Sequence, residues 1–333
     1  MANSKPKKAV AKKSSASSKA KAKNSTAPAK KKVTKNVAEK KVGAEVKTKK
    51  VEAVKVKEVP FKKDAKEPGF FKALFAKKCD KSENILTIFK GKKIWGAIIA
   101  EVFGTMLLSI VLLTLGVYQP LYMFFVFVGL TLLTFGLSGA NLNPIITVGM
   151  MASRRMSAIR GVLYIIAQIL GAWLGFLIVK AFVVGAGQDP AEVLPKMAAI
   201  EGEGDAFLSA FWMVTMIEFV GSLIIGLTFA RALQFKRSAL TFAMFVAGGV
   251  VVAFLFAIIV SSNFASLSDN FLLNPAIALM YQILPTSGAE VSDVLGKIAI
   301  ALGAHVAFPI LGSVVGFCIS DIASVFNGEK LDV

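Results

Sequence analysis

Asn143-Pro144-Ile145 and Asn274-Pro275-Ala276 decide the fold of this chain. Asn is a favoured helix N-cap, and Pro is favoured at the first helical position, where its missing N–H costs nothing. Each turn therefore starts a helix, but the apolar stretch that follows is short, reaching about Ala152 in the first case and Gln282 in the second. At 1.5 Å per residue each is roughly 15 Å long, half of what a bilayer core requires. At membrane depth such broken backbone persists only where protein buries it or a wet cavity borders it. Two half-helices inside a bundle point to a pore or a binding site.

The chain around these turns is a membrane protein joined to a polar arm. Of 333 residues, 55% are hydrophobic, and the mean hydropathy is +0.65. The net charge of +18 is unevenly spread. Residues 1–93 hold 29 Lys and 8 acidic residues, leaving 10 of the 39 basic and 13 of the 21 acidic side chains for the rest. The arm is rich in Lys, Ala, Ser and Val and buries too little apolar surface to offset its ordering entropy, so residues 1–93 are expected to be a disordered cytoplasmic tail. The stretch from Phe70 to Phe89 mixes aromatics with Lys and has the character of a short helix lying on the membrane surface. The tail reads first as a solvated extension, then as a binder of anionic lipid headgroups, then as an unspecific nucleic-acid contact.

From Ile94 onward, apolar spans run at about 94–116, 120–137, 161–184, 207–230, 239–261 and 298–320. The half-helices fall between the second and third spans and between the fifth and sixth. The predicted class is all-α, with six transmembrane helices and two re-entrant half-helices over 94–320 and a short cytoplasmic tail at 321–333. Six spans put both termini on one side. The tail, the loop with Arg154, Arg155 and Arg160, and the loop with Arg231, Lys236 and Arg237 share that side. The loops with Asp189, Glu192, Glu201, Glu203 and Asp205, and with Asp269, Glu290 and Asp293, lie on the other. The positive-inside bias makes the basic side cytoplasmic, which gives a multi-pass protein of the cell membrane.

An internal repeat gives the two halves opposite orientations. Glu101-Val102-Phe103-Gly104-Thr105 in the first span is echoed by Glu218-Phe219-Val220-Gly221-Ser222 in the fourth. The glutamates are 117 residues apart and the turn asparagines 131. Three spans per half make this an inverted repeat, which brings broken helices together near the bilayer midplane. Glu101 and Glu218 are the two acidic residues within the spans. A charge there costs about 2.5–3.5 kcal/mol on insertion scales, so each needs partners. Bracing of the irregular loop before each half-helix is favoured over a proton relay, with Gln168 in a related role. The glycines at 104, 136, 171, 175, 221, 226, 312 and 316 are read as sites of close helix contact.

Catalysis has little to work with. The single histidine, His305, sits in an apolar run and reads as a core- or pore-facing polar group, while Cys79 and Cys318 lie in unlike places with no metal-ligand spacing. No enzyme activity, cofactor or metal is expected.

The membrane part resembles the major intrinsic protein family, the aquaporins and glycerol facilitators. The residues that carry the resemblance are Ala100 to Thr105, Ser138 to Pro144, Tyr164 to Ala172, the glutamate repeat, Asn274-Pro275-Ala276, and a final span with Pro309 and Gly312. The resemblance implies a passive, cofactor-free channel, homotetrameric with one pore per subunit, for water and small neutral solutes such as glycerol. It also implies that Asn143 and Asn274 offer amide N–H groups to passing oxygens. The positive ends of the two half-helices, each worth roughly half a charge, repel cations and hydronium there.

Two departures stand out. The first motif ends in Ile145 rather than Ala, and the Arg that the family places three residues after the second Asn is Ile277. Carried over by spacing, the other constriction positions are Met123, Phe271 and Phe254, with Ser262 as the alternative in the fifth span. Such a ring has few donors and discriminates among solutes weakly. Two other classes compete with the channel: a membrane anchor or scaffold with a degenerate pore, and a secondary transporter with alternating access.

Overall fold

The computed structural model describes residues 89–115, 119–193, 204–234, 238–265, 271–283, 299 and 302–328, all within one compact unit spanning 63–333. The Lys-rich segment up to residue 88, including most of the Phe70–Phe89 stretch, lies outside the described residues.

Among the described residues, six helices are long and apolar enough to cross a membrane. They are α1 (Lys92–Leu115), α2 (Pro120–Ser138), α4 (Ala158–Gly185), α5 (Gly204–Gln234), α6 (Ala239–Val260) and α8 (Phe308–Phe326). The half-helices are α3 (Pro144–Ala152) and α7 (Pro275–Ile283), of 9 residues each. Local chemistry sets the ends. Ser157 caps α4 by accepting from the Arg160 N–H, and Ser238 caps α6 through the Thr241 N–H. Pro120 occupies the first turn of α2, and Gly139 closes that helix in the left-handed region at φ 89°. Two π-helical turns flank the second half-helix in the chain: Ser261–Ala265 prolongs α6, and Gly303–Ala307 leads into α8.

The last helix departs from the sequence reading. It runs to Phe326, six residues beyond the Ser320 boundary. Hydropathy falls at Asp321, but Arg155 from the loop after α3 neutralises that carboxylate. Their contacts are 2.6 Å (Nη2–Oδ1) and 3.4 Å (Nη1–Oδ2), with both side chains largely buried. Arg155 also stacks 5.5 Å over the Phe317 ring. A paired charge no longer ends a helix.

The packing repeats as the sequence does. α1 lies along α4, and α5 along α8. Gly171 meets the Val102 carbonyl and Gly175 the Met106 carbonyl; in the second half Gly312 meets the Phe219 carbonyl and Gly316 that of Leu223. A side chain at any of these four positions would press on helix backbone, so glycine sets the helix spacing. Gly136 is different. Among the described residues no atom lies within 4 Å of where its Cβ would be, so it meets no neighbouring helix of its own subunit. The outward faces carry exposed Ile99, Phe103, Phe125, Leu133 and Ile166. Such residues fit a hydrocarbon surrounding and are poorly suited to water.

Candidate functional site

The loops that precede the half-helices build the site. Each carries a non-glycine residue in the left-handed region directly before its Asn: Leu142 at φ 50° and Leu273 at φ 52°. That conformation costs on the order of 1–2 kcal/mol for an L-residue, so the surroundings must hold it. Glu101 and Glu218 supply the hold. The Glu101 carboxyl accepts from the Asn141 N–H (3.2 Å), the Leu142 N–H (2.8 Å) and Gln168 Nε2 (2.7 Å). Gln168 Nε2 also donates to Thr147 Oγ1 at 2.9 Å, and Thr147 donates to the Asn143 carbonyl at 3.2 Å. Loop, half-helix and two spans are thereby joined in one network.

Glu218 treats the second loop alike, accepting from Leu272 N (2.8 Å) and Leu273 N (3.1 Å). Its third partner differs. His305 Nδ1 lies 2.8 Å from Glu218 Oε1, delivered by the π-helical turn before α8. His305 thus takes the place that Gln168 fills in the first half. Sequence reasoning left this histidine alone, because no spacing rule pairs residues 87 apart across a π-turn.

The turn asparagines cap their own helices and clasp each other's loops. Asn143 Oδ1 accepts from Ile145 N and Asn274 Oδ1 from Ala276 N, both at 3.1 Å. Asn143 Nδ2 donates to the Leu273 carbonyl at 2.7 Å, and Asn274 Nδ2 to the Leu142 carbonyl at 3.3 Å. The left-handed leucines aim those carbonyls across the join. An amide nitrogen has two N–H groups, so one of each pair serves the clasp and the second is left over.

Beside the clasp lies a cavity of about 20 Å³, room for roughly one water. Residues 140–143 and 272–274 border it, Asn143 and Asn274 among them. The helices add Leu108, Phe127, Ile225, Val246 and Phe254, with Thr131 as the one polar side chain from a spanning helix. None of the lining residues is charged. Sequence reasoning reached Asn143, Asn274 and Phe254 here and missed the other helix residues, which sit on largely apolar helix faces.

Of the four constriction positions, Phe254 lines the cavity and its ring lies 6.4 Å from that of Phe271. Met123, Phe271 and Ile277 belong to the same packed apolar cluster, each no more than 1% exposed. Ile145 is fully buried beside them. Ser262, the alternative to Phe254, is exposed on the π-turn and is not among the residues lining the cavity.

Six spanning helices and two opposed half-helices define a class of membrane protein with a broken-helix site at its centre. A family model described as major intrinsic protein matches residues 88–217. A probable aquaporin PIP2-4 of Arabidopsis thaliana is 53% identical over 49 residues, 15% of this chain and 17% of its own length. A PIP-type aquaporin of Atriplex canescens is 33% identical over 106 residues, 32% of this chain and 35% of its own. The chain thus aligns with about a third or less of these relatives' lengths. The solved aquaglyceroporin of Plasmodium falciparum shares the fold, with TM-score 0.51 and 20% identity over 68% of this chain and 96% of that one. Residues 88–217 thus carry a major intrinsic protein domain, and the chain shares the fold of an aquaglyceroporin.

Proposed function

We propose that this protein is a passive channel for small uncharged solutes, water and glycerol-like polyols, that excludes ions and protons. The observation that carries the reading is the clasp. Two half-helix N-termini meet at a one-water cavity, and each asparagine keeps an N–H beyond those the protein uses. A passing oxygen exchanges hydration for those donors. A cation meets the positive ends of two helix dipoles with no carboxylate in the wall to offset them. The name of the structural neighbour, an aquaglyceroporin, favours polyols alongside water.

With Ile277 in place of a basic residue, cation exclusion rests on the dipoles alone, and the Met123, Phe254, Phe271 and Ile277 ring offers no donor. Solutes that shed hydration cheaply pass such a ring best. The loops with Arg154, Arg155 and Arg160 and with Arg231, Lys236 and Arg237 support an orientation with the basic face and both termini in the cytoplasm, and the proposal includes a homotetramer in the cell membrane. The Lys-rich arm has the charge to attract anionic lipid or nucleic acid.

The test is solute flux into liposomes carrying the purified protein. A channel gives glycerol and water fluxes linear in their own gradients and indifferent to an imposed sodium or proton gradient. Stimulation by either ion gradient would make the protein a transporter instead. A proton leak well above that of empty vesicles would overturn the exclusion claim.

A further inference from the structure

The cavity has a second polar side. Thr131, on the inward face of α2, lines it at 2% exposure. Its neighbour Thr134 turns its hydroxyl back onto the Leu130 carbonyl at 2.7 Å, the common resting place of a helical threonine. Thr131 makes no such bond, and its hydroxyl has no hydrogen-bond partner among the described residues. Elsewhere the spanning helices give the cavity only apolar side chains, Leu108, Phe127, Ile225, Val246 and Phe254 among them. A hydroxyl on the wall of a small, largely apolar cavity is costly unless something that visits the cavity satisfies it.

We propose that Thr131 is a solute-contacting specificity residue, which selects hydroxylic and amide solutes by giving the cavity a second hydrogen-bonding side chain type. The proposal rests on the channel reading and deepens it. The spare N–H of Asn143 and of Asn274 can only donate, so they take a solute by an acceptor oxygen. The Thr131 hydroxyl both donates and accepts. A molecule held by its oxygen at the asparagines can therefore also donate a hydrogen bond to Thr131 Oγ1. Water, alcohols and urea-like amides can do this. A solute without a hydrogen-bonding group gains nothing from either contact and must still displace whatever water sits there.

Thr131→Val keeps the shape and removes the hydroxyl, while Thr131→Ser keeps the hydroxyl and removes a methyl. In proteoliposomes the valine variant is expected to lower water and glycerol permeability by about five-fold, the loss of one neutral hydrogen bond. The serine variant should retain the wild-type rates. Equal loss in both variants, or no loss in the valine variant, would overturn the proposal. A second readout stands apart from transport. In an experimental density map, wild type should hold an ordered water within hydrogen-bond reach of Thr131 Oγ1, and Thr131→Val should lack it. If wild type conducts neither water nor glycerol, the channel reading fails, and the map alone decides Thr131: its water supports a binding role, and bare density refutes it.

Discussion

Replacing Glu218 with Leu probes the hold on the second loop. The substitution keeps an apolar-compatible size in α5 but removes every acceptor from the Leu272 and Leu273 N–H groups, and it leaves His305 without its partner. Three contacts at about 1 kcal/mol each give roughly 3 kcal/mol. Stranding three fully buried groups raises this toward about 6 kcal/mol, and the left-handed Leu273 then has nothing opposing its strain of about 1–2 kcal/mol. Against a typical stability of about 5–15 kcal/mol, that is enough to release the loop. His305→Leu removes one contact of the three, so its cost should be about a third as large. The assay is thermal unfolding in detergent, paired with water permeability of reconstituted vesicles. Glu218→Leu should melt far below wild type and lose its permeability, with His305→Leu in between. A Glu218→Leu protein that melts within a degree or two of wild type would refute the reasoning, because the carboxyl would then not be holding the loop.

Other consequences follow from the packing. Arg155→Ala removes the close cationic partner of the largely buried Asp321 carboxylate; a loss of up to about 3 kcal/mol is expected, and Arg155→Ala/Asp321→Ala together should recover part of it in a double-mutant cycle of melting temperatures. Gly171→Val drives two methyls toward the Val102 carbonyl and should prevent α1 and α4 from closing, seen as loss of the monodisperse peak in gel filtration. Phe254→Ala opens the cavity at its aromatic wall and should raise glycerol flux more than water flux in vesicles, since the larger solute is the one short of room.

Much of the fold was legible because the membrane imposes simple rules. Span length, the Asn-Pro starts and the 117-residue glutamate repeat each have few solutions in hydrocarbon. Both half-helices begin at their prolines, α3 ending at Ala152 and α7 at Ile283. The end of α8 was not legible, since hydropathy counts Asp321 as a break and cannot see Arg155 arriving from another loop. Gly136 misled because a glycine in a span carries no mark of what faces it. At the site, the asparagines and glutamates announce themselves as polar groups in apolar surroundings. The pairing of His305 with Glu218 depends on a π-turn, and helical periodicity does not encode one. Thr131 was passed over for a related reason. Threonine is common in apolar helices, and only the neighbourhood tells a hydroxyl bonded to its own backbone from one facing a cavity.

The central claim is that solutes pass where the half-helices meet. Stopped-flow light scattering on vesicles carrying wild type or Asn274→Asp tests it most directly. Aspartate can still cap Ala276 N, but it has no N–H for the Leu142 carbonyl or for a solute, and it brings a negative charge to the cavity. Wild type should shrink rapidly in sucrose and re-swell rapidly in glycerol, and the substitution should bring both rates down toward those of empty vesicles. Wild-type rates equal to empty vesicles, or fast rates that survive Asn274→Asp unchanged, would contradict a pore through this site.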